Sequence, residues 1–131
     1  MKFVDTSFWL ALQFSGDGDH RAAREIWQNK PGPLLTSTNV VGEAWTILRR
    51  RLGHKAAEDF RSSIERLPEL TVLHVDESTE AEAWDWLARH DERTYSFVDA
   101  TSFALMRRRR IREALSFDAD FRAAGFSIPS R

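Results

Sequence analysis

Short apolar runs of strand length alternate with longer stripes of helical period along the whole chain, and this alternation is what most limits the fold. Lys2–Asp5 reads as a short buried strand, followed by a helix through about Phe14. Asp19 or a neighbour caps a second helix with Ala22, Ala23, Ile26 and Trp27 on one face, and Pro33–Thr36 reads as a strand. Thr38 or Asn39 is expected to cap a helix whose apolar stripe is Val40, Val41, Ala44, Trp45, Ile47 and Leu48. Residues 54–66 form a further helix after Gly53, and Leu70–Val75 is β-branched enough for a strand. Thr79, with Glu82 three residues on, predicts a capping box for a helix burying Trp84, Leu87 and Ala88. Ser96 or Asp99 starts the next helix; Glu113–Phe117 reads as a strand, and Phe126–Ile128 as a final edge strand. Strands alternating with helices predict an α/β domain with a mainly parallel sheet of about four to five strands.

Length and composition fit one such domain spanning residues 1–131. Apolar residues make up 42% and charged residues 30%, a globular balance and not a disordered one. The chain has no cysteine, which excludes disulfides, a thiolate nucleophile and zinc–sulfur sites, and agrees with a reducing compartment. No apolar stretch reaches membrane-span length and Asp5 interrupts any leader-like run, so the expected location is cytoplasmic. The formal net charge of -1 leaves attraction to nucleic acid to local patches, Arg49–Arg51 and the run Arg107, Arg108, Arg109, Arg110 with Arg112.

Four acids, Asp5, Glu43, Asp99 and Asp118, stand at the edges of apolar segments. A carboxylate so placed must be hydrated, hydrogen-bonded, paired or metal-bound. In an open parallel sheet the carboxyl ends of the strands line the ligand crevice, so four acids from distant parts of the chain can converge on one cation. The alternative for Asp5 and Asp118 is an N-cap, and for Asp99 a first-turn acid favoured by the helix dipole. Glu43 resists such an explanation, because it lies within a helix beside the apolar stripe.

The pieces Val4-Asp5-Thr6-Ser7, Thr36-Ser37 through Val40-Val41-Gly42-Glu43, Ser96-Phe97-Val98-Asp99-Ala100 and Leu115-Ser116-Phe117-Asp118 followed by Phe121 occur in one order over nearly the whole chain. In this order the chain resembles the PIN domains, and among them the VapC-type toxins of toxin–antitoxin pairs. The resemblance implies a three-layer α/β/α fold and a Mg²⁺- or Mn²⁺-dependent endoribonuclease that cuts RNA phosphodiester bonds with a metal-activated water. It implies Asp5 and Asp99 as direct metal ligands, and Glu43 and Asp118 as acids that bind through water or complete a second site. Such cations prefer oxygen donors, and Mg²⁺ keeps several waters beside one or two carboxylates. Thr6, Ser7 and Ser116 would orient the carboxylates or contact phosphate; the family pattern often has Thr or Ser at the Ser116 position. The resemblance also implies a cognate antitoxin that blocks the acidic groove, and a homodimer.

Two other functions compete. An acid after the first strand also suits a phosphotransferase or phosphatase forming an aspartyl-phosphate on Asp5. Haloacid-dehalogenase-like enzymes usually carry a second Asp two residues later, where this chain has Ser7. A non-catalytic PIN-like RNA-binding module is expected where the acidic set is eroded, and here all four acids are present. The histidines His20, His54, His74 and His90 have no metal-ligand spacing. The five tryptophans are read as core, with Trp9 near enough to Asp5 to border the cleft. Arg107–Arg110 and Arg112 are candidate phosphate contacts, with the solvated end of a helix as the plainer reading.

Overall fold

The computed structural model describes residues 1–130. Its elements run β1 (Lys2–Val4), α1 (Thr6–Gln13), α2 (His20–Gln28), β2 (Leu34–Ser37), α3 (Thr38–Leu52), α4 (His54–Glu65), β3 (Leu70–Leu73), α5 (Glu77–Arg89), α6 (Phe97–Arg109), β4 (Ala114–Leu115) and α7 (Ala119–Ala123). The four strands are all parallel, in the order β3-β2-β1-β4. From β1 the chain steps outward through β2 to β3, then returns to the other side of β1 for β4. Parallel crossovers are right-handed, so this reversal puts helices on both faces and gives the three-layer α/β/α arrangement. It also makes the carboxyl ends of β1 and β4 the switch point where a crevice opens.

The central strand is buried on both faces. Phe3 and Val4 are fully covered, as are Leu35 and Thr36 on β2, and the Thr36 hydroxyl donates to the Val4 carbonyl at 2.8 Å. One aromatic cluster packs Trp9 edge-on against Trp27 and Phe60; another surrounds Phe103 with Trp86, Tyr95, Phe121 and Phe126. Trp9 is 1% exposed, so it belongs to this core and does not border the cleft. Among the described residues no helix is long and apolar enough to cross a membrane.

Several local expectations shift. Ser37, and not Thr38 or Asn39, caps α3, its hydroxyl accepting the Val40 N–H at 3.1 Å. Replacing Ser37 with Ala should therefore lower the unfolding free energy by about 1 kcal/mol in a urea titration. α5 starts one turn earlier than expected, because Asp76 accepts the Thr79 N–H at 2.8 Å and Thr79 becomes a buried first-turn residue. The face turned inward carries Thr79, Ala83 and Trp86, whereas Trp84 is 53% exposed and Ala88 is exposed. β4 is shorter than expected: past Leu115 the Phe117 and Asp118 N–H groups go to the Ser7 and Ser116 hydroxyls instead of to a strand. Phe126–Ile128 is no fifth strand. Only Ser127 bridges, to Glu113, while Phe126 packs its ring on Phe103.

Candidate active site

Asp5 leaves β1 at the switch point. Its N–H extends the parallel pairing by donating to the Leu115 carbonyl at 3.1 Å, which fixes the residue against the end of β4. The side chain caps α1 and is 3% exposed. Its Oδ2 accepts the Ser7 hydroxyl at 2.8 Å, the Ser116 hydroxyl at 2.9 Å and the Ser7 N–H at 3.3 Å. The two hydroxyls in turn accept the Phe117 and Asp118 N–H groups at 2.9 and 3.0 Å. Two serines distant in sequence, one in the first turn of α1 and one just past β4, thus bind one carboxylate and the backbone that carries the next acid. Burial pushes Asp5 up to about 6 against the lowering effect of these hydrogen bonds.

Asp99 sits in the first turn of α6 in a reciprocal cap with Ser96. The Ser96 hydroxyl accepts the Asp99 N–H at 2.9 Å, and Asp99 Oδ2 accepts the Ser96 N–H at 3.2 Å. The carboxyl is raised to about 7, first by burial, then by the negative charges of Asp5 and Asp118. Glu43, half-buried on α3, is raised by burial and by Asp99 and Asp118. Asp118 caps α7, its Oδ1 accepting the Asp120 N–H at 2.9 Å. The four predicted acids therefore meet in one place, each within electrostatic reach of another. Caps for Asp5, Asp99 and Asp118 are real as well, so capping and convergence are one arrangement.

Thr6 differs from Ser7 and Ser116. Its buried hydroxyl has no hydrogen-bond partner among the described residues, and it is the Thr6 backbone N–H, not the side chain, that bonds to Asp5. Two residues at the site were not foreseen. Carboxylate oxygens of Asp99, Asp118 and Asp120 lie within 4.8 Å of one another, and Asp120 also accepts the Arg93 Nε–H at 2.7 Å. The Asp118-x-Asp120 spacing at a helix start was a readable signal. Arg93 carried none, because only the tertiary fold brings the 90–96 segment over α7.

The arginine run lies at the far end of α6. Arg107 is eight residues beyond Asp99, about 12 Å along the axis. Arg108 Nε donates to Glu82 at 2.7 Å and its Nη1 to Ser78 at 3.0 Å; Arg107 sits over the Trp86 ring at 5.9 Å and 3.8 Å from Glu82. These two arginines pin α6 to α5. Arg109, Arg110 and Arg112 are exposed there, away from the acids.

A parallel sheet with an acidic set at its switch point defines a class, and the PIN domain model matches residues 2–127. The chain belongs to the PIN domain family. It is 53% identical over 126 residues to the 23S rRNA-specific endonuclease VapC20 of Mycobacterium tuberculosis, covering 96% of this chain and 95% of that protein. The crystal structure of M. tuberculosis VapC20, described as a sarcin-ricin loop cleaving toxin, superposes with a TM-score of 0.92 at 51% identity over 97% of both chains. A toxin–antitoxin complex from Klebsiella pneumoniae and FitAcB from Neisseria gonorrhoeae share the fold, each at a TM-score of 0.69 with 15% and 17% identity, covering 99% of this chain and 97% of theirs.

Proposed function

We propose that the protein is a divalent-metal-dependent endoribonuclease acting in the cytoplasm as the toxin of a toxin–antitoxin pair, with the sarcin–ricin loop of 23S rRNA as its substrate. The observation that carries this reading is the meeting of Asp5, Glu43, Asp99 and Asp118 at the carboxyl end of the sheet, where burial raises Asp5, and burial together with neighbouring negative charge raises Glu43 and Asp99. Carboxylates so crowded are relieved by a cation, and an all-oxygen donor set suits Mg²⁺ or Mn²⁺. Asp5 and Asp99 would hold the ion directly, with Glu43 and Asp118 reaching it through water. When bound, it would neutralise charge on the scissile phosphate and acidify a water.

The chain's own groups do the positioning. Ser7 and Ser116 clamp one oxygen of Asp5, and Ser96 restrains Asp99, so both carboxylates are oriented before a ligand arrives. Glu43 and Asp118, raised or capped beside them, are placed to take a proton from the attacking water or to give one to the leaving oxygen. The Ser7 and Ser116 hydroxyls that touch Asp5 are spent as donors to it, so neither is offered as a covalent nucleophile. An aspartyl-phosphate on Asp5 fits poorly, because the same hydroxyls and burial close off its Oδ2. A cognate antitoxin and a homodimer complete the proposal, supported by the toxin–antitoxin relatives of the same fold.

The test is cleavage of a sarcin–ricin stem-loop RNA beside a stem-loop of scrambled loop sequence, with Mg²⁺, Mn²⁺ or EDTA. Metal-dependent cutting within the native loop alone is expected. Cleavage that persists in EDTA, or equal cutting of both RNAs, contradicts the mechanism or the substrate respectively.

A further inference from the structure

Beside the acidic set runs an open groove of about 530 Å³ whose walls include Glu43, Thr46, Ile47, Arg50, Phe97 and Val98. Glu43 and Arg50 are two turns apart on one face of α3, so an anion held by Arg50 lies about 10 Å from the acids. Phe97 is stacked under Trp84, ring centroids 4.4 Å apart at 29°, and the indole is 53% exposed. Phe97 thus lines the groove and carries the exposed Trp84 indole on its ring, whereas the other large apolar side chains above one-third exposure among the described residues are Met1, Leu52 and Val72. On the Asp118–Asp120 limb the neighbouring cation is Arg93, whose side chain is 44% exposed. Arg50 makes no ion pair among the described residues, in contrast to Arg107 and Arg108.

We propose that this groove is the track for an unpaired stretch of the substrate RNA: a base extends the Trp84–Phe97 stack, Arg50 holds a phosphate on the Glu43 side, and Arg93 leaves Asp120 to hold a phosphate on the other. Alternating base platform and cation is the pattern by which single strands are gripped without sequence readout, and it places the intervening phosphate over the acids. The proposal deepens the ribonuclease reading and rests on it. It assigns RNA positioning to Arg50, Arg93 and Trp84 instead of to the arginines at the far end of α6.

The experiment is fluorescence anisotropy of the full chain with the stem-loop RNA in EDTA, where binding is read without cleavage. Trp84→Ala should weaken binding about tenfold, with Trp84→Phe restoring most of it. Arg50→Gln and Arg93→Gln should each weaken it roughly fivefold and flatten the dependence of log K on log salt by about 0.7. Lys55→Gln, at an exposed position of α4, serves as the charge-matched control and should do neither. Unchanged affinity in Trp84→Ala, or equal weakening in Lys55→Gln, overturns the track. So does a Trp84→Ala protein that turns from dimer to monomer while each protomer still binds RNA as before, since the face is then an interface between copies. Cleavage by the wild-type protein separates the two failures: intact cleavage with unaffected binding variants sinks the track alone, whereas no cleavage with affected variants sinks the nuclease reading alone.

Discussion

Asp5→Asn should abolish RNA cleavage, by about 10³-fold or more, while making the metal-free protein more stable. The two effects have one cause. Asp5 is 3% exposed and its pKa is raised to about 6, so near neutral pH the folded chain holds a carboxylate that burial disfavours. Asparagine keeps an oxygen for the Ser7 and Ser116 hydroxyls and removes the charge. Relieving the shift is worth on the order of 1–3 kcal/mol, less whatever the unpartnered amide protons cost. A residue kept for its fold would behave the other way: its loss would lower stability and spare chemistry until the protein unfolds. Urea titration in EDTA beside a single-turnover cleavage assay reads both quantities. Loss of stability on substitution would make Asp5 a structural cap first.

The second expectation concerns pH and metal together. Asp5 at about 6 and Asp99 at about 7 both lie above the ordinary value of 3.8. The folded state therefore binds more protons than the unfolded state between about pH 4 and pH 7, and these groups make the metal-free fold less stable as pH rises through that window. Above pH 7 their contribution is flat. A divalent cation needs the ionised carboxylates, so its stabilising effect runs opposite, small at pH 5 and large at pH 8. With Mn²⁺ in excess, the Tm increment over EDTA should be larger at pH 8 by roughly 5 °C or more. In Asp99→Asn both the metal increment and much of the pH slope should shrink. A metal increment equal at the two pH values, or larger at pH 5, would mean that the acids do not form the ligand set.

Much of this site was legible because its acids sit where chain periodicity changes. Asp5 ends an apolar run and starts a helix, Asp99 follows a Ser cap by three residues, and Asp118 follows a short apolar strand. Each is a boundary signal, and parallel topology then brings strand carboxyl ends together. Glu43 was legible for a different reason, a charge beside an apolar stripe that no cap explains. What the sequence hid depends on register or on distant packing. Asp76 and Thr79 both offered a plausible cap for α5, and packing against α6, which no local signal encodes, decides that Trp86 and not Trp84 enters the core. The run of arginines read as one patch, yet Arg107 and Arg108 are taken up by Glu82, on a helix some 25 residues earlier in the chain. Arg93 stood alone in a loop, and only the Asp120 partner brought by the fold gives it a place at the acids.

The central claim is that the four acids form one divalent-metal site that cuts RNA. It is tested most directly by single-turnover cleavage of the sarcin–ricin stem-loop by wild type and Asp99→Asn, both shown folded by circular dichroism, in Mg²⁺ and in EDTA. The account predicts cutting by the wild type in Mg²⁺, and none by the wild type in EDTA or by Asp99→Asn in either. Cleavage by folded Asp99→Asn at the wild-type rate would contradict it.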